Sequence, residues 1–514
     1  MTPSVRRPSA LLNVLANWGA FIFGAAVNFF LAPYVVHHLG DTVYGIWALV
    51  GSVTGYLGLL DLGVRSAVTR YLARYAAEGD TEAANRMASS ALALFCASGL
   101  LALLLAGSVT AAMPHIFQLS PEYLTAARLA VLVGGATVGV SLVAGVFGGT
   151  IAGLQRFTLL SGLDISLELF RAAAVWLTLG HGGGIVQLAL IQLAVSLLRL
   201  VTYRELCRRL LPWLRLSAAN VGRSTVRTII SFSGYATLMH SSGMLILYSD
   251  SLVIGALLPV SAVTFFAIGA SLTEYARTVV SGISQTLTPM TSAAEAVSRS
   301  EAVARLLRRS VRLGTLALLP ILVTFLVRGP TFIGLWMGES YRAASGSILR
   351  VLTVSLCFAV SYQIVTATML GLNRHRSMAL IYLAEGGVNL ALSLALARPF
   401  GIIGVALGTA IPRLIVSIYY GPRIAREVLQ VTRLAFAREA WLRPLVAMVP
   451  FGLVSLAIEH YWKVASLAPY FLQIVIALPA ALLGAWVVAL EADERVAASR
   501  WLGRRWGRVA GTAG

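Results

Sequence analysis

Apolar and polar positions alternate along this chain in long blocks, not residue by residue. Apolar runs of about 18 to 25 residues recur from end to end, each long enough to cross roughly 30 Å of hydrocarbon as a helix. The blocks predict spans at roughly 11–36, 42–63, 86–113, 122–152, 157–180, 185–207, 229–257, 261–290, 311–336, 344–371, 377–397, 401–421, 442–461 and 469–490. Polar or helix-breaking segments separate them: Gly40-Asp41, Ser120-Pro121, His181 to Gly184, Pro259, Gly338-Glu339 and Arg398-Pro399. The expected fold is an all-α integral membrane protein with about fourteen transmembrane helices and no stretch left over for a soluble domain.

Composition agrees with that reading. Of 514 residues, 58% are hydrophobic and 12% charged, with a mean hydropathy of +0.81, too little polar surface to cover a soluble globule of this size. The net charge of +19 comes almost wholly from arginine, Lys463 being the sole lysine. A basic excess can mark nucleic-acid binding, but these arginines sit in short loops between apolar spans, so nucleic acid is not an expected partner. Cys96, Cys207 and Cys357 lie apart within expected helices and imply packing, with neither a disulfide nor a metal site. Arg6 and Arg7 resemble the start of a signal peptide, but the apolar run that follows exceeds a signal h-region and reads as a retained first helix.

The basic residues alternate between the two sides. Arg328, Arg342, Arg398 and Lys463 fall in odd-numbered loops, and Arg128, Arg171, Arg277, Arg350 and Arg413 fall inside spans. The rest cluster on the side of the N-terminus: Arg65 to Arg86, Arg199 to Arg227, Arg299 to Arg312, Arg374 with Arg376, Arg423 to Arg443 and Arg495 to Arg508. The positive-inside rule then places both termini in the cytoplasm. The central basic loop divides the chain into a six-helix lobe at 1–210, a cytoplasmic linker at 211–228, a second six-helix lobe at 229–422, and a last helix pair with a basic tail at 423–514. Six is even, so the second lobe would repeat the first in the same orientation. Leu39-Gly40 and Tyr44-Gly45, echoed by Leu258-Pro259 and Phe265-Phe266, are a faint trace of such a repeat.

Small residues recur every fourth position in helix four (Gly145, Gly149, Gly153) and helix twelve (Gly404, Gly408). Such faces let helices approach closely. Ionisable groups within spans are costly unless paired or hydrated, which makes them the pointers to function. Asp164, Glu168 and Arg171 stand at i, i+4 and i+7 on one helical face. Glu168 with Arg171 is either a self-neutralising pair or part of a polar path, and Asp164 has no partner within its helix, which favours a water-filled cavity. Glu274 with Arg277, Asp250, Glu385, Arg413 and Arg128 complete the intramembrane set, and Asp61 with Arg65 lies at the end of helix two. The arginines Arg65, Arg128, Arg171, Arg277 and Arg413 are candidate contacts for an anionic head group. The carboxylates Asp61, Asp164, Glu168, Asp250, Glu274 and Glu385 are candidates for taking up a coupling proton or cation.

No catalytic or nucleotide-binding motif competes with transport: Ser/His/Asp constellations, a Walker loop and metal-ligand clusters are all missing from the sequence. The run Leu39 to Leu49, followed by Leu59-Leu60-Asp61-Leu62-Gly63 and Thr69-Arg70-Tyr71, resembles the first hairpin of Wzx-type oligosaccharide flippases. Tyr248 to Gly255, with Pro289 further on, is similar to the matching segment of their second half. These flippases belong to the multidrug/oligosaccharidyl-lipid/polysaccharide exporter superfamily, with MATE exporters and lipid II flippases.

The resemblance implies two pseudo-symmetric, MATE-like lobes plus a C-terminal helix pair, opening alternately to each side. It implies an undecaprenyl-pyrophosphate-linked oligosaccharide as cargo for cell-surface polysaccharide biosynthesis. It implies no cofactor beyond a proton or sodium gradient, and partners in the membrane lipid, a polysaccharide polymerase and glycosyltransferases. Helix one lacks the charges that lipid II flippases carry there, which ranks that activity lower. A MATE-like cation-coupled multidrug exporter is the alternative. A membrane glycan polymerase or ligase, which would be an enzyme, is the lesser one, since the expected outer loops are short.

Overall fold

A computed structural model describes residues 10–296, 300–372, 374, 376–496 and 499–500. Among them every regular element is helical. The first ten elements are α1 (Ala10–Leu57), α2 (Val64–Glu78), α3 (Thr81–Ile116), α4 (Pro121–Gly153), α5 (Phe157–Gly180), α6 (Ile185–Leu210), α7 (Arg223–Leu257), α8 (Ser261–Ala296), α9 (Ser300–Met337) and α10 (Glu339–Gly371). Then come α11 (Arg376–Ile415), α12 (Gly421–Leu429), α13 (Arg433–Ala437), α14 (Arg443–Ala447), α15 (Val449–Tyr461) and α16 (Leu467–Gly484), with π-helical turns at Val416–Tyr420, Arg438–Leu442 and Ala485–Ala489.

Nine helical stretches among the described residues are long and apolar enough to cross a membrane. Two of them, Trp18–Glu78 and Met378–Leu429, are bent. The sequence suggests loops at Gly40-Asp41 and Arg398-Pro399. The chain instead bends at single glycines inside otherwise helical runs, Gly40 at φ 74° and Gly401 at φ 59°. Only a residue without Cβ enters that region freely, so one glycine does the work of a loop. Helices α5, α7 and α8 have spanning length at 24, 35 and 36 residues, and they carry most of the intramembrane carboxylates.

Contacts group the chain into two units, 1–267 with 379–405, and 268–378 with 406–514. In the first, the C-terminal part of α1 (Ile46, Leu49, Val50, Val53) packs on α3 and α4 through Ala102, Ala106, Ala127, Ala130 and Val131. Lipid tails are as apolar as these side chains, so close van der Waals fit, not transfer from water, holds such helices together. The α4 glycines show it. A Cβ at Gly153 would stand 2.8 Å from the Thr69 carbonyl oxygen, and one at Gly149 3.2 Å from that of Arg65. The backbone of α2 thus lies directly on α4. The segment after α6 is tied down as well: the backbone N–H groups of Arg215, Ser217 and Gly222 donate to Asn85, Ser89 and Ser90 of α3 at 2.7, 3.1 and 3.1 Å.

In the second unit, α9 holds the last helices through two polar clamps. Arg312, buried to 3% side-chain exposure, donates to Glu439 (2.7 Å), Glu491 (2.6 Å) and Glu494 (2.8 Å), while Arg309 pairs with Glu494 and Arg443 with Glu439. Four turns along α9, Arg328 reaches Glu459 at 3.1 Å, bonds Gln473 and lies 4.4 Å from the Tyr470 ring centre. Arg328 belongs to α9 and is 2% exposed, not in a loop as its charge suggests. A buried guanidinium held by partners on several helices favours one arrangement of its neighbours, because separating them leaves buried charge uncompensated.

Candidate functional site

Asp164 of α5 does line a cavity. Its walls are Arg65 and Thr69 from α2, Ser141 and the glycine stripe from α4, Leu160 and Asp164 from α5, and Arg199 and Tyr203 from α6, enclosing about 340 Å³. Liquid water occupies about 30 Å³ per molecule, so the space admits a hydrated polar group rather than one trapped water. Local chain geometry aims each side chain. A short 3-10 turn (Gly58–Asp61) and two left-handed residues, Leu62 and Gly63, interrupt the helix ahead of α2, and Arg65 stands 3.6 Å from Asp61. The Arg65 guanidinium rests on Gly145, where a Cβ would stand 3.2 Å from it, and the Tyr203 ring rests on Gly148 at 3.0 Å. The glycine stripe therefore serves packing and also opens floor space for these two side chains.

The polar contacts are uneven. Tyr203 donates its hydroxyl to Asp164 Oδ1 at 2.8 Å. Arg199 Nε lies 3.4 Å from the same oxygen, close enough for attraction but not aligned for a hydrogen bond, and this buried Nε has no hydrogen-bond acceptor. Ser141 and Ser196 share a hydrogen bond of 3.2 Å nearby. Two guanidiniums and one carboxylate line the cavity, and Asp61, 3.6 Å from Arg65 at its edge, offsets the second guanidinium.

Glu168 and Arg171 lie further along α5 and meet a different neighbour. Arg171 donates to Glu168 at 2.9 and 2.5 Å and to Asn28 Oδ1 of α1 at 2.8 Å, while Asn28 Nδ2 donates to Glu168 at 3.3 Å. The pair is neutralised and anchored to α1. Beside it, an apolar groove of about 630 Å³ runs between α1 and α5, flanked by Phe30 and Trp176.

A buried oxygen cluster joins α7 to α11. Asp250, 5% exposed, accepts from Ser393 at 3.3 Å, and Ser393 Oγ also lies 3.4 Å from the Val405 carbonyl, so its single proton serves one oxygen at a time. Ser249 donates to Asn389 at 3.0 Å, and Glu385, 3% exposed, sits one turn before Asn389. Carboxylate, amide, hydroxyl and main-chain oxygens are the donors that a proton or a hard cation takes. Among the described residues no three His, Cys, Asp or Glu side chains gather as a metal site.

Residues 10–295 match the family described as polysaccharide biosynthesis protein. The chain belongs to that family. Among curated relatives, an uncharacterized membrane protein, EpsK, of Bacillus subtilis is 24% identical over 463 residues, covering 88% of this chain and 90% of that protein. A putative O-antigen transporter of Shigella flexneri is 19% identical, covering 78% and 95%. Of solved structures, the lipid II flippase MurJ in an inward closed conformation superposes with TM-score 0.74 at 12% identity, over 93% of this chain and 98% of its own. An inward-facing multidrug resistance MATE family transporter reaches 0.68 at 14%, over 82% and 99%. At these identities the structural likeness is one of fold.

For this family member, the structure brings Asp164 and Arg65 into one cavity and leaves the other candidates elsewhere. Glu274 and Arg277 pair within α8 at 2.8 and 2.5 Å and are about two-fifths exposed. Arg413 stands in the last turn of α11. Arg128 donates to the Thr110 carbonyl at 3.0 Å. Sequence reading missed Arg199 and Tyr203, placing Arg199 in the central basic loop cluster. It is instead a helical residue of α6, which runs to Leu210. Its i, i+4 spacing to Tyr203, a polar pair inside an apolar helix, was the available signal.

Proposed function

We propose that the protein is a secondary transporter that flips an undecaprenyl-pyrophosphate-linked oligosaccharide from the cytoplasmic to the outer leaflet of the inner membrane by alternating access. The carrying observation is the cavity that brings the guanidiniums of Arg65 and Arg199 together with Asp164, Tyr203, Thr69 and Ser141, a polar chamber suited to a phosphate-bearing head group. The family match, the curated O-antigen transporter and the flippase fold support the same reading. Fourteen crossings follow when the two bent stretches are each divided at their glycine and α5, α7 and α8 are added to the apolar set. Both termini then face the cytoplasm, by the alternation of arginines. A six-plus-six-plus-two division of these helices remains part of the proposal.

The driving force in this reading is a proton or sodium gradient, with Asp250 and Glu385 in the oxygen cluster as the groups that take up the coupling ion. A polymerase and glycosyltransferases of the same pathway would be partners. The test is transport of a fluorescent lipid-linked oligosaccharide in proteoliposomes. Loss of flipping in Arg65→Gln and Arg199→Gln at equal protein level is expected. Full flipping in both variants, or export of cationic drugs in place of the lipid, would overturn the proposal and favour a multidrug exporter.

A further inference from the structure

The proposed transport reading leaves one feature of the cavity unexplained: the buried Arg199 Nε has no acceptor although a carboxylate oxygen lies 3.4 Å away. A buried N–H without an acceptor carries most of its desolvation cost, so a site that leaves one open is incomplete when empty. Resting on that reading, we propose that Asp164 is an internal stand-in for the substrate's diphosphate. It holds Arg199 in the empty cavity and yields it when the head group enters, so Arg199 is a specificity residue.

The geometry carries this in three respects. Asp164 is 43% exposed and Arg199 36%, so an incoming oxyanion reaches both. Tyr203 donates to Asp164 from the same helix as Arg199, giving the displaced carboxylate a hydrogen bond that it keeps. Arg65, on Gly145, adds a second guanidinium from the opposite wall, and Thr69 and Ser141 add hydroxyls. A phosphate oxygen presents lone pairs in several directions and can accept from Nε where the fixed carboxylate cannot, and guanidinium–phosphate bonds are strong and directional. The cavity therefore favours a phosphate-bearing group over a neutral one, because a charge-assisted bond from the open donor is stronger than one to a neutral oxygen.

The test uses the full chain in phosphatidylcholine nanodiscs, with inorganic pyrophosphate as the probe. Asp164→Asn and Asp164→Ser should bind pyrophosphate up to about fivefold more tightly than the parent, the equivalent of losing one competing exposed ion pair. Arg199→Gln should weaken binding by about tenfold or more. A second arm adds undecaprenyl pyrophosphate or phosphatidylglycerol to the discs at equal mole fraction. Competition by the former alone supports a diphosphate carrier, and equal competition by both overturns that assignment. Unchanged or weaker binding in both Asp164 variants overturns the exchange. The probe carries no glycan, so flipping that fails while these binding changes persist would count against the transport reading alone.

Discussion

The Nε of Arg350 donates at 2.9 Å to the carbonyl oxygen of Leu326, the oxygen that Pro330, four residues on, leaves without a helical donor. The same device recurs in α3 and α4, where Arg128 donates to Thr110 and Pro114 follows four residues later. In hydrocarbon an unmet carbonyl has no water to turn to. Each arginine on the following helix supplies the missing bond, so the proline bend and the helix pair are fixed together. The recurrence between the third and fourth helices and again between α9 and α10 is what a six-helix repeat would produce.

Arg128→Gln and Arg350→Gln should each lower the melting temperature in detergent, with a cost of roughly 1–3 kcal/mol for the stranded carbonyl. In a Pro114→Ala background the helix supplies its own N–H, and Arg128→Gln should then cost much less. The double-mutant cycle is the measurement, and additive losses would show that the arginine acts elsewhere.

What the sequence made legible followed spacing. Glu168 with Arg171, and Glu274 with Arg277, pair within one helix at i, i+3, and both pairs form. What it hid were partners far along the chain. Arg328 reads as an outer-loop charge because nothing near it in sequence neutralises it, whereas Glu459 does so from 131 residues away and Gln473 accepts a hydrogen bond from 145. Arg199 was lost for a related reason: it lies inside the 185–207 span, but its charge groups with the basic cluster that runs on to Arg227. The bends at Gly40 and Gly401 were readable as breaks but not as continuous helices, since glycine marks both.

The glycine stripe predicts a graded response. Gly153→Ala drives a Cβ to within 2.8 Å of backbone that has no room to move, so it should separate α2 from α4 and lower thermal stability by about 1–3 kcal/mol. Gly162→Ala, on α5, meets nothing within 4 Å and should be neutral or slightly stabilising through helix propensity, by up to about 1 kcal/mol. Melting curves in detergent distinguish the two, and equal effects would mean the stripe does not set the α2–α4 distance.

The clamp at Arg312 predicts acid sensitivity. The hydrogen bond from Arg312 holds the Glu491 carboxyl, which lies beyond the last apolar stretch, below the usual carboxylate range. A lowered folded-state pKa contributes stability that is fully present above the unfolded value and is lost as pH falls through the folded one. Docking of the terminal helices on α9 should therefore be firm at neutral pH and loosen in acid. Protection from hydrogen exchange across Arg433–Tyr461, relative to the intrinsic rate at each pH, should fall in acid, and Glu491→Gln should remove part of that difference. Arg312→Ala, which removes the buried cation shared by Glu439 and Glu494 and leaves them only Arg443 and Arg309, should be more damaging, at up to about 3 kcal/mol.

The oxygen cluster predicts a separation of coupling from binding. Asp250 is buried with Ser393 as its donor and has no place in the Arg199 cavity. Asp250→Asn keeps the shape and the hydrogen bond but removes the charge that would attract a proton or sodium ion. Pyrophosphate binding to the purified protein should be unchanged, while flipping in proteoliposomes should no longer accelerate when a proton or sodium gradient is imposed. A variant that responds to the gradient as the parent does would remove Asp250 from the coupling step. Loss of pyrophosphate binding would instead show that the cluster and the cavity are energetically linked, so that Asp250 acts on binding and not on the coupling step alone.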